Sequence, residues 1–163
     1  MEFLELYGIE RGKGQHHEEA IYGLALIYNM IYDEVSQYLK SYHLTPGKFN
    51  ILLVIRHHSG PQGIPQVEIS KHLIVTPSNM TKLIDKLERE DLVVRSALEG
   101  DRRVKITRIT PKGSDLLNKV WKGYKEMLKA LMPSLSQADQ KLLSSLLIKW
   151  LLALKSKSKE MEE

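Results

Sequence analysis

Between Thr76 and Glu90 the residue types fall into a pattern that suits one kind of chemistry. Ser78, Asn79, Thr81, Lys82 and Lys86 are small and polar or basic, and Met80, Leu83, Ile84 and Leu87 recur among them at spacings of three and four. On a helix that spacing gathers the apolar four into one stripe and leaves the polar set, with Asp85, facing outward. Hydroxyls and amides near the start of such a helix can exchange hydrogen bonds with base edges, while the lysines neutralise phosphate. Thr76 and Ser78, at the helix N-terminus, suit phosphate. Further on, Arg102 and Arg103 adjoin in a polar segment that carries Gly100. Adjacent cations on a turn can reach into a minor groove, whose potential attracts them where it is narrow. Asp101 is expected to pair with Arg103 or Arg95 and stiffen that turn, leaving Arg102 or Arg103 for the groove.

The elements that must hold these residues can be read outward from them. Thr76-Pro77 supplies a cap and a first-turn proline, so a helix is predicted from Pro77 to about Glu90. A helix from about Pro65 to Leu73, with Val67, Ile69, Leu73 and Ile74 apolar, is its packing partner. After Asp91 the period changes: 92–95 and 105–110 are rich in β-branched residues and read as two strands flanking a polar tip at 96–103. The motif is therefore a helix-turn-helix at about 65–90 followed by a β-wing at about 92–110. Thr45-Pro46 repeats the start signal for a helix through His58, which Ser59-Gly60-Pro61-Gln62-Gly63 breaks.

The ends of the chain read as longer helices. From about His17 to Tyr42, Ile21, Leu24, Ala25, Tyr28, Ile31, Tyr32, Val35, Tyr38, Leu39 and Tyr42 keep helical spacing. Thr110-Pro111 starts another, with Leu116, Leu117, Val120, Trp121, Tyr124, Leu128 and Leu131 apolar and Pro133 to stop it. Ser136 and Asp139 form a capping box for the last, whose Leu142, Leu143, Leu146, Leu147, Trp150, Leu151 and Leu154 make a wide apolar face. That face exceeds what a chain of 163 residues needs for its own core, so the end helices are expected to form a two-fold homodimer interface. Residues 1–15 and 155–163 read as a flexible N-terminus and tail.

These residues resemble the MarR family of winged-helix regulators. The resemblance rests on Asn79-Met80, Leu87-Glu88, Leu92-Val93, Asp101-Arg102-Arg103 and Thr110-Pro111-Lys112-Gly113, with Leu44 to Leu52 upstream. Lys82 stands where arginine is usual, and a lysine lacks the bidentate fork for a guanine edge. Asp91 stands where glycine is usual, so the reading helix is expected to end less sharply. The implied fold is mainly α with a small β-wing: one domain over 16–154, dimerisation helices at 16–44 and 111–154, and a winged helix-turn-helix at 45–110. The implied function is homodimeric, sequence-specific binding of double-stranded DNA at a near-palindromic operator, as a transcriptional repressor or activator, with repression the expected sense. A small phenolic or anionic effector between the end helices and the winged helix is also implied, with Tyr28, Tyr32 and Phe49 as wall residues.

Bulk properties agree and remove other classes. Residues 71–112 hold ten Lys or Arg against six Asp or Glu, and the remainder fourteen of each, so the whole net charge of +4 sits on the motif and wing. With no cysteine, neither a disulfide framework nor a thiol switch is available. No export signal or membrane span is read, which places the chain in the cytoplasm. His16-His17 and His57-His58 lack the spacing of a metal site, although spacing leaves open one drawing on His43 and carboxylates. No nucleophile elbow or carboxylate pair supports an enzyme, and no cofactor is expected. The competing reading is a winged helix that binds protein instead of DNA.

Overall fold

The computed structural model describes residues 8, 16–60, 62–73, 77–98 and 100–160. Thr76, the expected flexible N-terminus apart from Gly8, and 161–163 lie outside them, as do the side chains of Ser78 and Arg102. In chain order the elements are α1 (His16–Lys40), α2 (Pro46–His58), β1 (Ile64–Pro65), α3 (Gln66–Lys71), α4 (Pro77–Arg89), β2 (Val93–Leu98), β3 (Asp101–Ile109), α5 (Pro111–Ala130) and α6 (Gln137–Glu160). Where the sequence suggested one domain, the chain divides into two compact units, Met1–Tyr124 and Lys125–Glu163. The division has a physical root: α6 contributes no residue to the buried core. It also continues to Glu160, so residues 155–160, expected to be frayed, are helical.

The first unit is built on a three-stranded antiparallel sheet in the order β1-β3-β2. Its core combines Phe49, Ile51, Leu52 and Ile55 of α2 with Ile69 of α3, Ile84 and Leu87 of α4, and Leu117 and Val120 of α5, all essentially inaccessible. Each such aliphatic side chain stabilises the fold by about 1.5–3 kcal/mol when removed from water. Thr45 starts α2 as read from sequence, its hydroxyl accepting the Lys48 N–H at 3.3 Å. Thr110 does the same for α5, accepting from Gly113 N at 3.0 Å. The Ser136–Asp139 capping box at the head of α6 forms in both directions.

Three expectations are corrected. The segment at 64–65 is a strand, because Ile64 and Pro65 pair with Thr107 and Ile106 of β3. This close approach requires Gly63, which has φ +97° and whose added Cβ would meet Thr107 O at 2.8 Å. Helix α3 is correspondingly short, and Val67 lies on its exposed side. The wing strands extend through most of the expected tip, pairing Ser96 with Ile106 and Ala97 with Lys105. Lastly, α4 ends sharply without glycine: Asp91 takes φ +58°, its N–H bonds to Glu88 O at 2.9 Å and the Leu92 N–H to Leu87 O at 2.9 Å. Those are the two bonds that close a helix C-terminus when the next residue is left-handed.

Candidate nucleic-acid interface

Helix α4 presents what its sequence promised. Met80, Ile84 and Leu87 are buried, Leu83 is half-buried, and Asn79, Thr81, Lys82 and Lys86 are exposed. The apolar stripe is thus consumed by packing, and the polar residues at the start of the helix are free to meet a ligand. A cleft of about 570 Å³ runs beside this face. Gln66 and Ser70 of α3, Thr81 of α4, and Arg103 and Lys105 of β3 line it, so the helix pair and the wing share one concave surface.

The acidic residues of this region are occupied by the protein itself. Arg95 of β2 sits between two carboxylates of α4, with Nη2 at 2.7 Å from Asp85 and in contact with Glu88, and Nε at 2.8 Å from Glu88. Glu88 also accepts the Arg95 backbone N–H at 3.1 Å. Hydrogen bonding from Arg95 holds the Glu88 carboxyl below its ordinary pKa despite the opposing effect of burial. The wing is thereby clamped to the reading helix. The expected Arg95–Asp101 pair does not form, because α4 approaches β2 and supplies nearer carboxylates. Asp101 instead accepts the backbone N–H of Arg103 at 2.9 Å, a local turn bond that shapes the start of β3. Arg103, Lys105, Lys82 and Lys86 remain exposed with no ion pair among the described residues.

The end of α4 is fastened to the start of α5. Lys112 Nζ donates to Glu90 O at 2.7 Å and Thr110 Oγ1 to Asp91 O at 2.8 Å. Gly113 lies so close that an added Cβ would sit 2.2 Å from Leu92 O. From α2, the buried Lys48 reaches the same place: its Nζ lies 2.6 Å from Glu90 Oε2 and 3.0 Å from His43 O. On the other side, the rings of His58 and His72 stack at 3.9 Å, joining the ends of α2 and α3. Orientation of the reading helix is therefore fixed from three directions.

A second cavity, of about 410 Å³, opens where α1, α2 and α4 meet. Tyr28 and Tyr32 line it as expected, together with Asn50, Asn79, Leu83 and Tyr124. Phe49 does not. It is 1% exposed and packs with its ring 5.0 Å from Tyr124 and 6.4 Å from Trp121, because its place in the α2 period points it into the core. Sequence reasoning missed Gln66, Lys105 and Asn50. Lys105 carried a signal in the alternation of β3, whereas Gln66 and Asn50 become part of a site only through tertiary contacts. No cluster of metal-ligating groups occurs among the described residues, His43 included.

Residues 44–105 match the model of the MarR family. The matched stretch runs from the start of α2 into β3 and so takes in the helix-turn-helix and the first wing strand. The chain is 28% identical to the HTH-type transcriptional regulator MhqR of Bacillus subtilis (strain 168), over 76% of this chain and 83% of that one. The fold matches the crystal structure of a putative MarR-like transcription regulator from Bacillus cereus ATCC 10987 with a TM-score of 0.77, at 20% identity, covering 86% of this chain and 99% of the other. It matches the S. aureus MepR–DNA complex with a TM-score of 0.73 at 25% identity, covering 81% and 96%.

Proposed function

We propose that each chain carries one reading head, with α4 in a major groove and the wing in the flanking minor groove. The protein is a DNA-binding transcriptional regulator and not an enzyme, and it acts as a homodimer. The observation that carries the assignment of surfaces is the shared cleft. Thr81, from the polar face of α4, lines it together with the unpaired cations Arg103 and Lys105, while the nearby carboxylates Asp85 and Glu88 are neutralised by Arg95. Asn79, Thr81, Lys82 and Lys86 approach base edges or flanking phosphates, joined by Thr76, Ser78 and Arg102 from outside the described atoms. Two heads on a two-fold axis address half-sites about one helical turn, roughly 34 Å, apart, giving a near-palindromic operator. A dimer seated on an operator that overlaps a promoter would exclude the polymerase, and repression is the sense we propose. No described helix is long and apolar enough to cross a membrane. Its place is the cytoplasm, with the DNA.

The 410 Å³ cavity takes the effector. Among the described residues lining it there is no lysine, arginine or histidine, whereas tyrosine and asparagine side chains are present. An anion there would lose hydration without a counter-charge, at a cost of several kcal/mol. The N-terminus of α2, at Pro46 and Gly47, returns at most about 2 kcal/mol through the helix dipole. Of the two effector classes, the lining therefore favours an uncharged phenol over a carboxylate. Because Asn79 and Leu83 belong to α4, occupancy acts directly on the reading helix and shifts the population that fits the operator.

The DNA assignment is tested by the salt dependence of duplex binding. Replacing Arg103 and Lys105 together by alanine is expected to flatten the slope of log K against log salt by roughly 0.9 for each lost phosphate contact. An unchanged slope removes the wing from the interface, and no duplex binding by the wild type even at low salt leaves a protein-binding module.

A further inference from the structure

Thr81 is exposed on the reading face of α4, and it carries two unlike branches on one carbon. A hydroxyl exchanges hydrogen bonds with base acceptors and donors, while a methyl makes apolar contact with the C5 methyl of thymine. In a helix threonine divides between two χ1 rotamers, and exchanging them changes which branch faces outward. Left to itself, such a residue reads two different things.

The structure removes that ambiguity from outside the helix. Gln66 Nε2 donates to Thr81 Oγ1 at 3.1 Å. Gln66 is the first residue of α3 and follows β1 directly, whose Ile64 and Pro65 are held on β3. Its anchor is therefore the sheet and not α4. The bond also lies at the surface, where a neutral hydrogen bond contributes little net stability. Contact between α3 and α4 does not need it, since Ile69, Met80 and Ile84 are already buried in the common core.

We propose that Gln66 is a positioning residue for DNA readout: it turns the Thr81 hydroxyl toward α3 and leaves the methyl to read a thymine methyl in the major groove. The inference rests on α4 being the recognition helix. It goes beyond that assignment by naming which branch of Thr81 reads, which base feature is read, and which residue outside α4 enforces the choice.

Deoxyuridine lacks the C5 methyl and otherwise pairs as thymine does, so it isolates the contact. An operator is first selected from a random duplex pool with the wild-type protein, and each thymine is then replaced in turn by deoxyuridine. The wild type is expected to lose about fivefold in affinity at one thymine of each half-site. Thr81→Ser, which has no methyl, and Gln66→Met, which keeps the stem and loses the donor, should both lose that sensitivity. Thr81→Val should keep it, and adding Gln66→Met to Thr81→Val should change nothing further. The melting temperature should be the same in Gln66→Met as in the wild type, and its loss of affinity should be larger on the selected operator than on random duplex.

Persistence of the deoxyuridine effect in Gln66→Met overturns the positioning role, and its persistence in Thr81→Ser overturns the methyl readout. A loss in Gln66→Met that is equal on every duplex, random included, makes Gln66 a backbone contact and also overturns the proposal. If the wild type selects no duplex at all, it is the recognition-helix assignment that fails, and the positioning role falls with it.

Discussion

The winged helix and the end helices treat apolar surface in opposite ways. From α2 to the start of α5 the apolar side chains are mostly interior, and the ends of α4 and β2 are tied by Lys48–Glu90, Arg95–Asp85 and Lys112–Glu90 O. In α1, by contrast, Leu39 is the buried residue, while Ile27, Tyr28 and Met30 are more than half exposed. In α6, Leu142, Leu146, Leu151 and Leu152 are all more than half exposed. Isolated surface leucines are ordinary, but such continuous apolar faces mark an interface. The core of the reading head is complete within one chain, whereas the apolar faces of α1 and α6 are left uncovered in it, and the proposed homodimer is what would cover them. Shape and spacing of the reader are thus separate problems solved by separate regions.

That separation can be broken most severely at α6. Leu146→Glu with Leu151→Glu places two charges in the proposed dimer face and touches nothing in the winged-helix core. Sedimentation should show a monomer, while the circular dichroism of the folded head persists. Affinity for a full operator should fall roughly a hundredfold or more, because the second head no longer binds at the effective concentration that dimerisation provides. A monomer that kept full operator affinity would show that one head suffices and that the contrast between the regions has no functional meaning.

Sequence patterns disclosed the local half of this arrangement. The stripe of Met80, Leu83, Ile84 and Leu87 and the Thr-Pro starts at Thr45 and Thr110 depend on neighbours within a turn or two, and they were legible for that reason. The polar face of α4 followed from the same stripe. What escaped depends on partners far along the chain. β1 exists because β3 lies beside it some forty residues later, and two residues carry no period of their own. The Arg95 clamp needs α4 and β2 in contact, and Asp101, nearer in sequence, drew the pairing expectation away from Glu88 and Asp85. Phe49 belongs to the core and Asn50 beside it to the cavity, a distinction that hydropathy alone does not make.

A smaller effect is expected at the joint that fixes the reading helix. Gly113→Ala puts a methyl where Leu92 O already stands at 2.2 Å and Ile109 Cγ1 at 2.9 Å. Backbone must move, and overpacking of this kind costs about 1–3 kcal/mol. Chemical denaturation should read that loss. Operator affinity should fall together with stability, since Thr110 and Lys112, which hold the end of α4, lie just before the substituted residue. A variant as stable as the wild type would mean that α5 can slide at no cost and that the head is less rigidly locked than its contacts indicate.

The mildest test concerns Asp91, where the opposite sign is expected. A non-glycine residue in the left-handed region is strained by roughly 1 kcal/mol, less for aspartate than for most. Yet Asp91 closes α4 and offers its carbonyl to Thr110. Both roles use backbone atoms, so Asp91→Gly keeps them while relieving the strain. Glycine also frees the unfolded chain, which offsets part of the gain. The balance is a stabilisation of about 0.5 kcal/mol with operator affinity unchanged. If the variant is instead less stable, the aspartate side chain contributes something its backbone does not, and the helix end is held by more than its two closing bonds.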